Sequence, residues 1–353
     1  MRKTAIVRDE RYLEHRPGSF HPESPKRLDA IYSVLEAPDR APLFWDLPAR
    51  PATRDELLAI HKSQYVDMIL STAGRKRRSL DPDTAVSEGS CEAALLAAGG
   101  VCEAVSEVVS GNVDNAFALV RPPGHHAENN RAMGFCIFNN LAVGARYAQQ
   151  MHGASRILVV DWDLHHGNGT QHSFEEDPSI LYYSTHQYPY YPGSGAHTQG
   201  GRGEGAGYTV NVPLAPGHGD NEYMGIFEKT LKPIGLEFKP DLILVSAGFD
   251  IYQNDPLGGM GVTPRGFAGL TRSVLDIADA CSGGRVVMTL EGGYNLKGLQ
   301  ESVLAVVREM AGVTETRPET PWSDQAVLRV ETAAEKVREV HGGLWKGLGV
   351  KTG

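Results

Sequence analysis

The chain has 353 residues and 41% hydrophobic content, enough to bury a large core as one big α/β domain or two smaller ones. Its net charge is -9, and its longest basic run is Arg75-Lys76-Arg77-Arg78, which argues against nucleic acid as a partner. No apolar segment approaches the ~18 residues of a membrane span, and no signal-peptide core follows Met1, so the reading is a soluble, cytoplasmic protein with no membrane role.

A short strand is expected over 4–7. It is followed by a polar loop holding His15 and His21-Pro22-Glu23-Ser24-Pro25, semi-rigid through its prolines and suited to wall a pocket. A helix is expected over 28–35 and another over 55–70, with His61 as a hydrogen-bonded structural histidine. An Ala-rich helix over 91–109 contains Gly99-Gly100, read as a flexible point. Cys91, Cys102, Cys136 and Cys281 show no Cys-x-x-Cys spacing and read as reduced core residues.

From there apolar runs recur, each ending in a polar cluster and followed by a helical stretch. Residues 116–120 end in Arg121-Pro122-Pro123-Gly124-His125-His126. Residues 157–160 end in Asp161-Trp162-Asp163-Leu164-His165-His166-Gly167-Asn168, and 180–183 end in Ser184-Thr185-His186. Residues 242–245 end in Ser246-Ala247-Gly248-Phe249-Asp250, and 286–290 end in Glu291-Gly292-Gly293-Tyr294-Asn295. Helices are expected over 141–151, 223–238, 266–280 and 299–310. Strands alternating with helices predict a parallel sheet covered on both faces. Ligands of such sheets bind beyond the carboxyl ends of the strands, so the polar clusters should converge. The glycine-rich 200–207 lacks a Gly-Lys-Ser/Thr ending and reads as a loop. An irregular connection over 312–324, with Pro318 and Pro321, leads to a last helix over about 325–342. No composition shift requires a second domain, so 1–353 is read as one.

Convergence carries chemistry. Asp163 and His165, two apart, would point the same way from an extended strand end, and Asp250 would complete one imidazole and two carboxylates. That set leaves room for water or substrate, as catalytic zinc requires, yet it also resembles the facial triad of iron, so spacing alone does not name the metal. His125 and His126 add two imidazoles suited to proton transfer. Asp161 and Asn168 could orient them, and Tyr294 could donate to an oxyanion.

These motifs, with Ala127-Glu128 and Gly134-Phe135-Cys136, resemble those of the zinc-dependent histone deacetylases, in particular class II and its bacterial deacetylase-like relatives. The resemblance runs from about His21 to the final helix. It implies the arginase/deacetylase fold, a single parallel multi-stranded sheet between helices, with one zinc at the foot of a narrow tunnel. It implies that Asp163, His165 and Asp250 bind zinc, that His126 is general base and acid with Asn168 behind it, and that His125 is its electrostatic neighbour backed by Asp161. Tyr294 matches the tyrosine that polarises the amide carbonyl. Phe135, beside Gly134, and Tyr191 match the tunnel walls, with tyrosine replacing the usual phenylalanine. Asp83, with Asp81 as rival, falls near the acidic rim position. Arg27 is similar to the arginine lining the acetate exit. Asp161, Asp163, His165, Ser184 and Thr185 resemble a structural potassium site. Leu257 stands where polyamine-specific members carry glutamate, which favours acyl-lysine in a protein or peptide over a small acetylated amine, and hydroxamates are the inhibitors implied. Three alternatives remain: an acetylpolyamine or other small-amine deacetylase on the same site, an arginase-like manganese enzyme lacking its extra carboxylates here, and a non-catalytic acyl-lysine binder. Homo-oligomerisation is left open.

Overall fold

The computed structural model describes residues 1–38, 40–313 and 322–349. Eight strands form one sheet: β1 (Thr4–Val7), β2 (Trp45–Leu47), β5 (Asn115–Ala118), β6 (Ile157–Asp161), β7 (Ile180–Gln187), β8 (Thr209–Leu214), β9 (Leu242–Ala247) and β10 (Val286–Leu290). Their order is β2-β1-β5-β10-β9-β6-β7-β8, and every pairing is parallel. All residues of β5, β6, β9 and β10 are buried, which near-continuous β-branched and apolar runs achieve only with helices on both faces. A separate small hairpin pairs β3 (Arg78–Ser79) with β4 (Ala85–Val86).

The helices are α1 (Lys26–Leu35), α2 (Arg54–Leu58), α3 (Ser63–Leu70), α4 (Ser90–Val109), α5 (Asn140–His152), α6 (Asn168–Phe174), α7 (Asp220–Ile226), α8 (Lys232–Phe238), α9 (Pro264–Cys281), α10 (Leu296–Met310) and α11 (Asp324–His341). Helices α4 and α5 pack on each other, while α1, α10 and α9 form another row, with α11 against α7 and β8. A π-helical turn, Phe227–Leu231, joins α7 to α8, so the helix expected over 223–238 is continuous but locally underwound.

Four strand ends matter for function. Strands β5, β10, β9 and β6 are neighbours in that order, and their registers keep the ends nearly level: Asp161 sits opposite Ser246, and Ala118 and Ser246 both lie opposite Thr289. At ~4.8 Å between strands, four adjacent ends span roughly 15 Å, the scale of one substrate site.

Three local expectations differ from the structure. The helix expected over 55–70 is two helices, because the His61 ring is tied on both nitrogens, to the Glu128 carbonyl and the Asn139 N–H, and Lys62 turns to extended backbone as its N–H reaches the Asn129 carbonyl. Gly99-Gly100 is not a flexible point: α4 runs through it, and a Cβ at Gly99 would lie 2.0 Å from the Arg50 carbonyl oxygen, so glycine there permits close packing. Ser184, Thr185 and His186 lie inside β7, not after it. Of the connection expected over 312–324, residues 314–321, with Pro318 and Pro321, lie outside the described residues. The cysteines are free, and among the described residues no helix is long and apolar enough to cross a membrane.

Candidate active site

Asp161 ends β6 fully buried, a position costly for a carboxylate unless its oxygens are engaged. They are: Oδ1 accepts from the Asp163 N–H at 3.1 Å, and Oδ2 accepts from His125 Nδ1 and from the Tyr182 hydroxyl, each at 3.1 Å. The chain then turns so that Asp163 and His165 face Asp250, which follows β9. Their candidate ligand atoms lie within 4.8 Å of one another. His165 Nδ1 is 3.2 Å from Asp163 Oδ1 and 3.1 Å from Asp250 Oδ2. The other oxygens are held by backbone: Leu164 N–H donates to Asp250 Oδ1 at 2.9 Å and Gly292 N–H to Asp163 Oδ2 at 2.8 Å. A Cβ on Gly292 would sit 2.2 Å from Asp250 Oδ2, so only glycine lets the loop after β10 close over the carboxylates.

The electrostatics of the trio suit a cation. Burial, with Asp163 adding to it, pushes the Asp250 carboxyl up to about 7. Burial works against charge on His165, but the Asp163 and Asp250 carboxylates outweigh it and carry that ring up to about 9. Burial opposes charge on Asp163 too, yet the imidazoles of His125 and His165 hold it well below the usual carboxylate range. An ionised carboxylate therefore crowds a second carboxyl and an imidazole that both hold on to protons, a set that fits a divalent ion.

Beside the trio, His125 and His126 project from the loop after β5, with ring centroids 4.0 Å apart. Burial disfavours charge on both, yet they diverge. Asp163, Asp161 and Glu291 overcome it at His125 and push that imidazole up to about 10, whereas His126, facing the charges of His125 and His165, is held well below the ordinary range. A charged imidazole therefore stands next to a neutral one. His126 Nδ1 donates to Asn168 Oδ1 at 2.8 Å, which leaves Nε2 as its acceptor nitrogen.

A cavity of about 200 Å³ reaches this floor; it is lined by His125, His126, His165, Gly292 and Tyr294 at depth and by Asp83, Gly134, Phe135, Tyr191 and Leu257. The Tyr191 ring stands 5.1 Å from that of His126, and Phe135 lies 6.0 Å from Tyr294. Asp83 Oδ1 accepts from Gly134 N–H at 3.1 Å, whereas Asp81 caps its own turn by accepting from Asp83 and Thr84 N–H; of the two rim candidates, Asp83 is the one on the cavity. Burial raises the Tyr294 hydroxyl well above its usual pKa, Arg27 offsetting this only in part, so Tyr294 stays a donor.

Arg27 is not on the cavity wall. It is fully buried and donates to the Gly293 carbonyl at 2.7 Å and the Glu291 carbonyl at 2.5 Å, holding the loop that carries Tyr294. Asp161 and Asn168 likewise stand behind the two histidines. Asp161 and Ser184 are paired across β6 and β7; the buried Thr185 hydroxyl, on the opposite face of β7 from Ser184, has no hydrogen-bond partner among the described residues.

Four residues given no role by sequence reasoning support this constellation. Glu291 accepts from Gly124 and His125 N–H at 2.7 and 3.2 Å. Glu23 pairs with Arg121 and Arg27. Tyr182 braces Asp161, and Glu128 braces Asn168 at 2.6 Å. Glu291, beside Gly292-Gly293, and Glu128, two residues after His126, lie inside motifs visible in the sequence, but spacing does not name their partners.

The Histone deacetylase domain matches residues 21–310. The chain belongs to the histone deacetylase family. It is 43% identical to Histone deacetylase 15 of Arabidopsis thaliana over 88% of this chain and 57% of that protein. It is 38% identical to a Probable deacetylase of Archaeoglobus fulgidus over 97% of this chain and 99% of that one, and 38% identical to Histone deacetylase clr3 of Schizosaccharomyces pombe over 94% and 51%. It thus spans about half the length of the plant and yeast relatives and nearly all of the archaeal one. The solved structure of the HDA15 HD domain superposes with a TM-score of 0.90 at 40% identity, covering 98% of this chain and 96% of that one. The sheet order above is therefore that of a histone deacetylase domain, the arginase/deacetylase fold expected from the sequence.

Proposed function

We propose that this histone deacetylase family member is a zinc-dependent amidohydrolase that removes acetyl or related acyl groups from the ε-amine of lysine in proteins or peptides. The observation that carries the reading is the pair His125 and His126, 4.0 Å apart and backed by Asp161 and Asn168, on a cavity also lined by His165 and Tyr294, with Asp163 and Asp250 gathered against His165. Asp163, His165 and Asp250 would hold the zinc, which when bound supplies Lewis-acid polarisation of the acyl carbonyl and of a water.

The chain's own groups do the rest. His126, with Nδ1 occupied by Asn168, accepts the proton of the attacking water at Nε2 and later delivers it to the departing amine. His125 sets positive charge beside the developing negative charge. Tyr294, kept protonated, donates to the tetrahedral oxyanion, the kind of contact that strengthens as the barrier is crossed. Phe135 and Tyr191 flank the methylene chain, Leu257 adds an apolar surface, and Asp83 receives the substrate backbone. The products are a free lysine and acetate. We also assign a structural potassium to the Asp161, Asp163, His165, Ser184 and Thr185 region, with Thr185 offering its backbone oxygen, supported by the pairing of Asp161 with Ser184 across β6 and β7. The name of Histone deacetylase 15 does not carry histones to this chain.

The test is the initial rate on a fluorogenic acetyl-lysine peptide beside N-acetylputrescine, using zinc-reconstituted protein with and without a hydroxamate. Peptide turnover abolished by the hydroxamate is the expected result. Turnover of the diamine alone would move the substrate to small acetylated amines, and silence on both with zinc bound would overturn the acetyl reading and leave a longer acyl group or a non-catalytic acyl-lysine binder.

A further inference from the structure

An asparagine behind a histidine poses a problem that an aspartate does not. Its amide has an acceptor at one end and a donor at the other, and a half-turn about its last bond exchanges them within nearly the same volume. With Oδ1 toward His126, the ring must carry its proton on Nδ1 and leave Nε2 free to accept one. With Nδ2 there instead, Nδ1 becomes the acceptor, the proton moves to Nε2, and the ring faces the cavity with a nitrogen that cannot take another proton as a neutral base.

The surroundings of Asn168 resolve this. Nδ2 donates to Glu128 Oε1 at 2.6 Å and to the His126 carbonyl at 3.3 Å. Turning the amide over would press Oδ1 against those two acceptors, and a carboxylate oxygen at 2.6 Å is the more repulsive of them. Glu128 is itself anchored. Its N–H donates to the Arg131 carbonyl, its carbonyl accepts from His61 Nδ1 at 3.0 Å, and its carboxylate accepts from His172 Nδ1 at 2.9 and 3.1 Å. Asn168 and His172 are one turn apart on α6 and grip the same carboxylate from one side.

We infer that Glu128 is a positioning residue that selects the tautomer of His126 by fixing which end of the Asn168 amide faces it. The inference rests on the reading of His126 as the base. It explains why a chain with asparagine behind its base also has a carboxylate behind the asparagine: the negative charge sits one residue further back, with the amide in between to pass on its direction.

The experiment reads the tautomer directly. In ¹⁵N-histidine-labelled zinc protein, long-range ¹H–¹⁵N correlation, assigned against His126→Ala, reports which nitrogen of His126 bears hydrogen. The wild type should show Nδ1–H. Glu128→Ala, or Glu128→Leu if the alanine variant does not fold, should show a mixed or inverted tautomer, with zinc content and KM retained and kcat lower by about 10- to 100-fold, as for other groups that orient a site from behind. Adding Asn168→Asp, whose two oxygens both accept, should restore Nδ1–H and raise kcat about tenfold over the single variant. A wild-type tautomer in the Glu128 variant overturns the inference, as does a double variant that regains neither property. If the wild type turns over no substrate but the tautomer shifts as stated, the functional reading fails and the positioning role stands.

Discussion

The Arg27 guanidinium lies 5.1 Å from the centre of the Tyr294 ring while donating to the carbonyls of Glu291 and Gly293. One cation thus holds both the loop and the face of its tyrosine. Arg27→Ala would strip Glu23 of one of three buried partners, Arg121 and His15 remaining, and leave two carbonyls unmet, a loss of about 3 kcal/mol or more by the usual cost of breaking a buried pair. Arg27→Lys keeps the charge but has one point to offer where the guanidinium offers a fork. Urea unfolding should find the lysine variant much closer to wild type than the alanine variant, while its kcat falls and KM changes little. An unchanged kcat in Arg27→Lys would remove the positioning role.

Tyr294→Phe deletes the donor and leaves the ring stacked on Arg27. Turnover should drop about 10²- to 10³-fold, the range for losing one oxyanion donor, with zinc content unchanged by elemental analysis. Activity within a fewfold of wild type would mean that the oxyanion is stabilised elsewhere.

Asp250 offers a test that needs no substrate. A ligand bound only by the folded state raises stability with its concentration, so added zinc should raise the Tm of metal-stripped wild type and leave that of Asp250→Ala nearly flat. Equal zinc-induced shifts in both would take Asp250 out of the ligand set.

Which parts of this site were legible in the sequence follows from how each is encoded. The ligands and histidines end β-branched runs, and period and polarity mark such ends locally. Convergence was legible too, because parallel strands put all carboxyl ends on one edge. The edge strand β2, three residues with two exposed, carries no such signal. Neither does the break at His61, which is set by contacts to Glu128 and Asn139, more than sixty residues away. The supporting carboxylates were hidden for the same reason: Glu291 and Glu128 act on residues 167 and 40 positions distant. Spacing cannot report a partner that only the fold supplies. Arg27 was visible as a candidate, but only burial shows that it works from behind the wall.

Leu257 lines the cavity while its N–H is held by Asp255 and its carbonyl by the Tyr190 hydroxyl, so the backbone would keep a replacement side chain in place. Leu257→Glu adds a carboxylate facing a cationic chain. A partly exposed ion pair is worth at most about 1 kcal/mol, so the ratio of kcat/KM for N-acetylputrescine over acetyl-lysine peptide should rise severalfold and no more. An unchanged ratio would mean that this position does not read substrate charge.

His61 sets an acid limit on stability that is independent of catalysis. Its ring donates from Nδ1 to the Glu128 carbonyl and accepts at Nε2 from the Asn139 N–H, both at 3.0 Å, so protonation at Nε2 would set two donors against each other. Burial lowers its pKa to about 4, the contact with Glu128 opposing this only in part, against about 6.5 in an unfolded chain. With the folded pKa depressed, the unfolded state takes up the proton first. Stability is therefore full above about pH 6.5 and falls as pH drops toward 4. Between pH 7 and pH 5 the linkage relation assigns this one ring a loss of about 2 kcal/mol. His61→Gln should be less stable than wild type at pH 7 yet lose about 2 kcal/mol less on going to pH 5, measured by denaturant unfolding at the two pH values. Parallel losses in both proteins would show that His61 protonates as readily folded as unfolded, and the hydrogen-bonded neutral ring would have to be abandoned.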